Sequence, residues 1–215
     1  MINADAFVYT ENIYFNEFLN VLKLMNDSYN RIIKQESFEN NAFETFLRNV
    51  LVKKYLRINK EIYGIGYLGF EVESGEINKN NKTIGFIDIK ITNLGKKDLL
   101  DEEEYYAFEC KRLDGYSKKN ILYIREGIYR FIAGKYSSRM SLAGMIGFIQ
   151  KGKITDIVSD INTKIEKEED SSQIGELIKS DIISGCKFIY SSENIRKKSN
   201  SKIRLFHVMM DFMEQ

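Results

Sequence analysis

Apolar residues recur at helical spacing in the first quarter of the chain. They then give way to the two-residue alternation and continuous apolar runs of strands. Phe15, Phe18, Leu19, Leu22 and Met25 predict a helix over residues 10–34, with Asn26-Asp27-Ser28 as an interruption. Phe43, Phe46, Leu47, Val50, Leu51 and Leu56 form an apolar stripe flanked by Glu44, Arg48 and Lys53. That stripe predicts a second helix from Glu36 to Arg57. Gly64, Gly66 and Gly69 break the chain before Phe70-Glu-Val-Glu73, which alternates as a strand. Gly75 and the run from Asn78 to Lys82 read as a hairpin turn.

Two more strands follow, Thr83 to Thr92 and Tyr105 to Leu113, joined by a polar, acidic connection from Asn93 to Glu104. Gly115 to Lys119 is a break, and Asn120 is the expected cap of a helix reaching Gly134. Ser141 to Ile149 is a continuous apolar run, the pattern of a strand buried on both faces. Residues 154–185 read as one or two helices around an acidic break at Glu166 to Ser172. Cys186 to Tyr190 and Ile203 to Phe212 read as closing strands, with the basic loop Arg196 to Lys202 between them. A hairpin beside a helical crossover predicts a mixed sheet with helices on both sides. With no long linker and no repeat, residues 1–215 are expected to form one α/β domain.

Composition narrows the chemistry. A single histidine, His207, excludes a site with two or three histidine ligands in one chain. His207 lies in the apolar run Leu205 to Met209 and reads as a core or interface residue. No Gly-x-Ser-x-Gly elbow and no Gly-x-x-x-x-Gly-Lys-Ser/Thr loop occurs. No apolar run approaches the roughly 20 residues that span a bilayer. Met1 to Asp5 lacks the basic and apolar regions of a leader, and Cys110 and Cys186 are far apart with no metal spacing. A reduced, cytoplasmic protein without membrane contact is expected.

The net charge of +1 hides segregation. Asp98 to Glu104 holds five acids and no base, and Glu166 to Asp181 holds six acids against two bases. Lys111 to Arg139 holds eight bases against two acids, and Lys187 to Arg204 six against one. Basic stretches of this kind steer polyanions even on a nearly neutral molecule.

The candidate chemistry sits on the two middle strands. Asp88 is embedded in Phe86-Ile-Asp-Ile89, where a carboxylate is costly unless it is paired or metal-bound. Glu109 and Lys111 are two apart on the next strand and so share a face. Adjacent strands can bring Asp88 and Glu109 together as oxygen ligands for a hard divalent cation, with Lys111 beside them. Such a set suits metal-assisted phosphodiester hydrolysis.

Helix-strand-strand-strand-helix-strand, with Asp88 and then Glu109-Cys-Lys111 on successive strands, resembles the PD-(D/E)XK nuclease superfamily. The likeness covers about residues 36–150. Gly85-Phe-Ile-Asp88 departs from it in lacking the proline or other turn residue usual before the aspartate. The resemblance implies a restriction-endonuclease-like core, here with an extra N-terminal helix and a C-terminal helix and hairpin extension. It implies Mg2+ or Mn2+ held by Asp88, Glu109 and the Cys110 backbone carbonyl, with the Cys110 thiol turned into the core. Lys111 then activates the attacking water or stabilises transition-state charge. Glu44 is the helper from the first core helix, a part open also to Glu71 or Glu73. Arg130, Lys135, Arg196, Lys197 and Lys198 are the expected nucleic-acid contacts, with Arg130 alternatively pairing with Glu126 on its own helix. The implied activity is an endonuclease, DNA favoured, in settings such as bacterial restriction or anti-phage defence. It would act as a homodimer or with a partner protein that supplies specificity. The alternative is a catalytically silent nuclease-fold subunit that binds nucleic acid or protein. A further reading makes Glu166 to Asp181 the docking segment of a defence complex.

Overall fold

A computed structural model describes residues 4–38, 42–77, 82–96, 104–136, 139–186 and 188–213. Helix α1 (Ala4–Gln35) is followed by α2 (Glu44–Val50), which runs through a π-helical segment, Leu51–Leu56, into α3 (Arg57–Asn59). Strands β1 (Leu68–Ile77), β2 (Thr83–Asn93) and β3 (Tyr105–Leu113) come next. Helix α4 (Ser117–Tyr123) continues through a second π-helical segment, Ile124–Ile128, into α5 (Tyr129–Ile132). The chain closes with β4 (Leu142–Ile149), α6 (Ile154–Ile165), β5 (Ile178–Lys179), β6 (Ile189–Ile195) and β7 (Lys202–Asp211).

The strands form one seven-stranded sheet in the order β1-β2-β3-β4-β7-β6-β5. β3 pairs parallel with β4, and β4 parallel with β7, while the other neighbours are antiparallel. The sheet is therefore mixed, as the hairpin and the helical crossover predict. β4, the continuous apolar run, is the middle strand and is buried at every residue. The C-terminal hairpin is not an appendage: β7 extends the same sheet beside β4.

Each face of the sheet carries its own core. On one face α1, α2 and the first π-helical segment cover Phe70, Ile89, Tyr106, Phe108, Ile146 and Phe206. Phe18 of α1 is fully buried, with its ring 5.1 Å from Tyr106, stacked 5.5 Å from Phe108 and 5.5 Å from Phe206. The other face packs Ala107, Leu113, Ala143, Met145 and Leu205 against α4, α5 and α6.

Several boundaries differ from the expectations. α1 is continuous through Asn26-Asp27-Ser28, because Ser28 and Tyr29 lie on its buried face and packing overrides weak helix propensity. The second helix starts at Glu44, not Glu36. Glu36 accepts hydrogen bonds from Lys54 and Tyr55, which tie it to the following helix. The helix expected from Asn120 starts at Ser117, and the Asn120 amide donates instead to Asp160 at 2.6 Å. Residues 154–185 hold one α-helix, α6, followed by turns, a single 3-10 turn at Ser171–Gln173 and the short β5. The turn around Asn78 to Asn81 and most of the connection after Asn93 lie outside the described residues. Among the described residues no helix is long and apolar enough to cross a membrane.

Phe18 touches three rings of the sheet, so Phe18→Ala is expected to cost about 3–5 kcal/mol of stability. Urea unfolding followed by far-ultraviolet circular dichroism measures the loss. A loss below about 1 kcal/mol would mean that α1 does not form part of this core.

Candidate active site

The site lies where the sheet forks. β2 pairs with β3 only from Ile89↔Phe108 to Thr92↔Tyr105, whereas β3 pairs with β4 from Phe108↔Gly144 to Leu113↔Ile149. Beyond Phe108 one edge of β3 has therefore lost its strand partner. Two carboxylates replace it. The Cys110 N–H donates to Asp88 Oδ2 at 2.8 Å, and the Arg112 N–H donates to Glu44 Oε2 at 2.7 Å. Backbone groups deprived of a ladder partner must bond elsewhere, and here acidic side chains fill the need. Asp88 comes from the departing strand, and Glu44 from the first turn of α2.

Asp88 is also skipped by its other neighbour. The β1–β2 register runs Val72↔Ile89 and Ser74↔Ile87, leaving Glu73 opposite Asp88 without a pair. Glu73 has a left-handed backbone, φ +52°, a conformation that costs a non-glycine residue about 1–3 kcal/mol. Arg48 joins the two acids, 2.7 Å from Asp88 Oδ1 and 2.8 Å from Glu73 Oε1. Arg48 follows Glu44 by one helical turn, so both reach the fork from the same face of α2. Its guanidinium is buried, and these two carboxylates compensate the loss of water.

Glu109 and Lys111 project from the opposite face of β3. Glu109 is 1% exposed. Its Oε1 accepts from Lys111 Nζ at 2.7 Å and from Arg130 of α5. Its Oε2 is buried with no hydrogen-bond partner. Lys111 Nζ also donates to the Cys110 carbonyl at 3.0 Å, so that carbonyl is directed into the site. Arg130 further donates to Tyr136, whose hydroxyl donates to the Phe86 carbonyl at 2.6 Å. The helical crossover lies close to the sheet at Gly127. A Cβ there would come within 2.4 Å of the Met145 methyl, and that closeness lets Arg130 reach Glu109.

The charges divide unevenly. Burial, then the Asp88 charge, push Glu109 up to about 7 against the pull of Lys111 and Arg130. Burial also raises Glu44, although Lys111 and the Arg112 N–H oppose it. For Lys111 burial works against the charge, but Glu109, Glu44 and Asp88 outweigh it and hold the ammonium above its ordinary value. The Cys110 thiol is fully buried in the core and raised well above its ordinary range, so it is inert as a nucleophile.

The structure thus brings together Asp88, Glu109, Lys111, Glu44 and the Cys110 carbonyl. It adds Arg48 and Glu73 from one face and Arg130 with Tyr136 from the other. Glu71 stays outside, with its carboxylate on Ser74. Arg130 turns inward to Glu109 and makes no ion pair with Glu126. Lys135 lies beside Gly85 and 5.5 Å over the Tyr136 ring, at the rim. Arg196 corrects the expectation of a phosphate contact. It is 2% exposed and donates to the carbonyls of Phe131, Tyr136 and Met140, pinning the segment that carries Lys135 and Tyr136. Lys197 pairs with Asp170 at 2.5 Å, while Lys198 is exposed. His207 is a core residue between Tyr123 and Ser192, lowered to about 3 by burial.

A hard cation fits this donor set on one observation. Glu109 Oε2 is a buried acceptor without a donor, beside a second carboxylate and a carbonyl already turned inward. Among the described residues no group of three or more His, Cys, Asp and Glu side chains forms a cation cage. A site here would take two carboxylates, a backbone carbonyl and water. Comparison with protein-family models, curated proteins and solved structures returns no match.

The Glu109 carboxyl titrates near 4.5 when unfolded and near 7 when folded. Between these values the folded protein retains a proton that the unfolded chain has released, so stability falls as pH rises. In metal-free buffer the unfolding free energy of the wild type relative to E109Q is expected to drop by about 3 kcal/mol from pH 4 to pH 8. Parallel curves in urea titrations across that range would show that Glu109 is not desolvated in solution.

Proposed function

We propose that the protein is a metal-dependent phosphodiesterase acting on nucleic acid, with DNA the favoured substrate and a restriction-endonuclease-like core as its scaffold. The observation that carries the reading is the convergence of Asp88, Glu109 and Lys111 at the fork between β2 and β3.

Asp88, Glu109 and the Cys110 carbonyl would hold Mg2+ or Mn2+, which when bound polarises a phosphate oxygen and acidifies a water. The rest of the chemistry belongs to the chain. Lys111 supplies a fixed positive charge next to the carboxylates, suited to a phosphate whose charge grows in the transition state. Its two anchors, Glu109 and the Cys110 carbonyl, preset its direction. Glu44, with one oxygen on the Arg112 N–H and a raised pKa, can accept a proton from water at the rim. Arg48 prevents Asp88 and Glu73 from repelling one another, and Arg130 does the same for Glu109. Restriction or anti-phage defence is the setting that fits such an activity.

A second reading has its own observation. Arg48 already pairs with Asp88, and Lys111 and Arg130 already pair with one oxygen of Glu109. Acids already paired with cations suit a silent nuclease-fold subunit that binds nucleic acid or protein without cutting.

Incubation with supercoiled plasmid, single-stranded DNA and RNA, in Mg2+, Mn2+ or EDTA, separates the two. Metal-dependent cutting is expected, with Asp88→Ala and Lys111→Ala each reducing the rate on the order of a hundred-fold or more. Absence of cutting, together with no calorimetric heat of metal binding that depends on Asp88, would overturn the hydrolase and leave the silent subunit.

A further inference from the structure

We propose that the fork receives nucleic acid with unpaired bases, held by aromatic side chains that ring its mouth. This inference rests on the nucleic-acid reading above and adds the substrate class.

β2 and β3 are antiparallel, so the fork opens toward the start of β2 and the end of β3. Exposed aromatic rings stand at that opening. Phe86, two residues before Asp88 on β2, is 61% exposed. Phe43, immediately before Glu44, is 76% exposed. Tyr116, just beyond the end of β3, is 60% exposed. Each belongs to a segment that also places a site residue or a neighbour of one. Phe43 adjoins Ala42, whose carbonyl accepts from Gln150, and Gln150 precedes Lys151. Lys151 in turn donates to the Tyr116 hydroxyl at 3.2 Å and lies 5.1 Å from the centre of its ring. Phe43 and Tyr116 are thereby linked through one short stretch of chain.

A single exposed ring is ordinary, but three on the segments that frame one opening, interspersed with exposed ammonium groups, offer stacking faces beside positive charge. The partner's charge is indicated by what lies between the rings. Lys118 and Lys151 are exposed beside Tyr116, and Lys119 is close enough to Glu44 to affect its titration. Rings alternating with ammonium groups match a strand whose bases stack and whose phosphates carry the negative charge. A duplex hides its base faces inside the stack, so rings of this kind have no surface on it to meet. Phosphate contacts from the lysines alone would serve either form. The aromatic rings favour the unpaired one.

The test is fluorescence anisotropy of a labelled oligonucleotide, single-stranded or annealed to its complement, with wild-type protein in EDTA so that no cutting intervenes. Wild type is expected to bind the single strand at least tenfold tighter than the duplex. Phe43→Ala and Tyr116→Ala should each weaken single-strand binding about tenfold, a typical loss for one stacked base. Both should leave duplex binding within about twofold, and Tyr116→Phe should retain wild-type affinity. Both positions are exposed, and circular dichroism checks that each variant folds. Equal affinity for both forms, unmoved by either alanine, overturns this inference and leaves the nucleic-acid reading standing. No binding to either form sinks both. A change in oligomeric state on sedimentation, without change in oligonucleotide affinity, identifies the rings as a self-association surface and also overturns the inference.

Discussion

The site depends on what happens to two backbone N–H groups when β2 leaves β3. Cys110 and Arg112 face the same edge of β3, and neither has a strand to bond. Asp88 and Glu44 take those two donors. The spacing of alternate residues along a strand, roughly 7 Å, then sets the separation of the two hydrogen bonds. Two acids from different elements are thus placed by the backbone of a third. The same pleat sends Glu109 and Lys111 to one face and the Cys110 thiol to the other, so the remaining charges need no independent positioning.

Concentrating acids at one point carries a cost that the surrounding structure offsets with cations. Arg48 is buried between Asp88 and Glu73, and Glu109 is bridged by Lys111 and Arg130. Each removal would leave a buried charge or acceptor uncompensated, which is more damaging than losing an exposed pair. Glu109 remains incompletely satisfied, with one oxygen bonded twice and the other not at all. The left-handed backbone of Glu73 is a second local cost at the same place. A strained backbone and an unsatisfied acceptor thus fall within one cluster, local costs that folded proteins keep rare.

Legibility from sequence followed the strength of each local signal. The apolar strand around Asp88, the two-residue spacing of Glu109 and Lys111, and the continuous run of β4 were readable, because strand periodicity directly reports which face a side chain takes. The mixed sheet followed from the order of these elements. Arg48 was missed as a site residue although it stands four positions after Glu44, a spacing that places both on one helix face. Its burial comes from long-range partners, Asp88 and Glu73, that no local pattern exposes. Arg196 misled for the converse reason. A basic run reads as a solvated tip, whereas its first residue turns inward to three carbonyls. Helix starts were least legible, since Asn120 is a good cap by type yet bonds Asp160.

The two layers of the molecule play different parts around the fork. From one side α2 contributes Glu44 and Arg48, and from the other α5 contributes Arg130. Both helical units carry a π-helical segment, a local widening of the helix. Arg196, on the far hairpin, pins the loop after α5 and so supports Tyr136, which links Arg130 to the β2 backbone at Phe86. The C-terminal hairpin therefore stands behind the site although none of its residues enters it. The core expected over residues 36–150 does not include this support. The charges of the fork are held in part from outside that range, by Arg196 on the carbonyls of Phe131, Tyr136 and Met140.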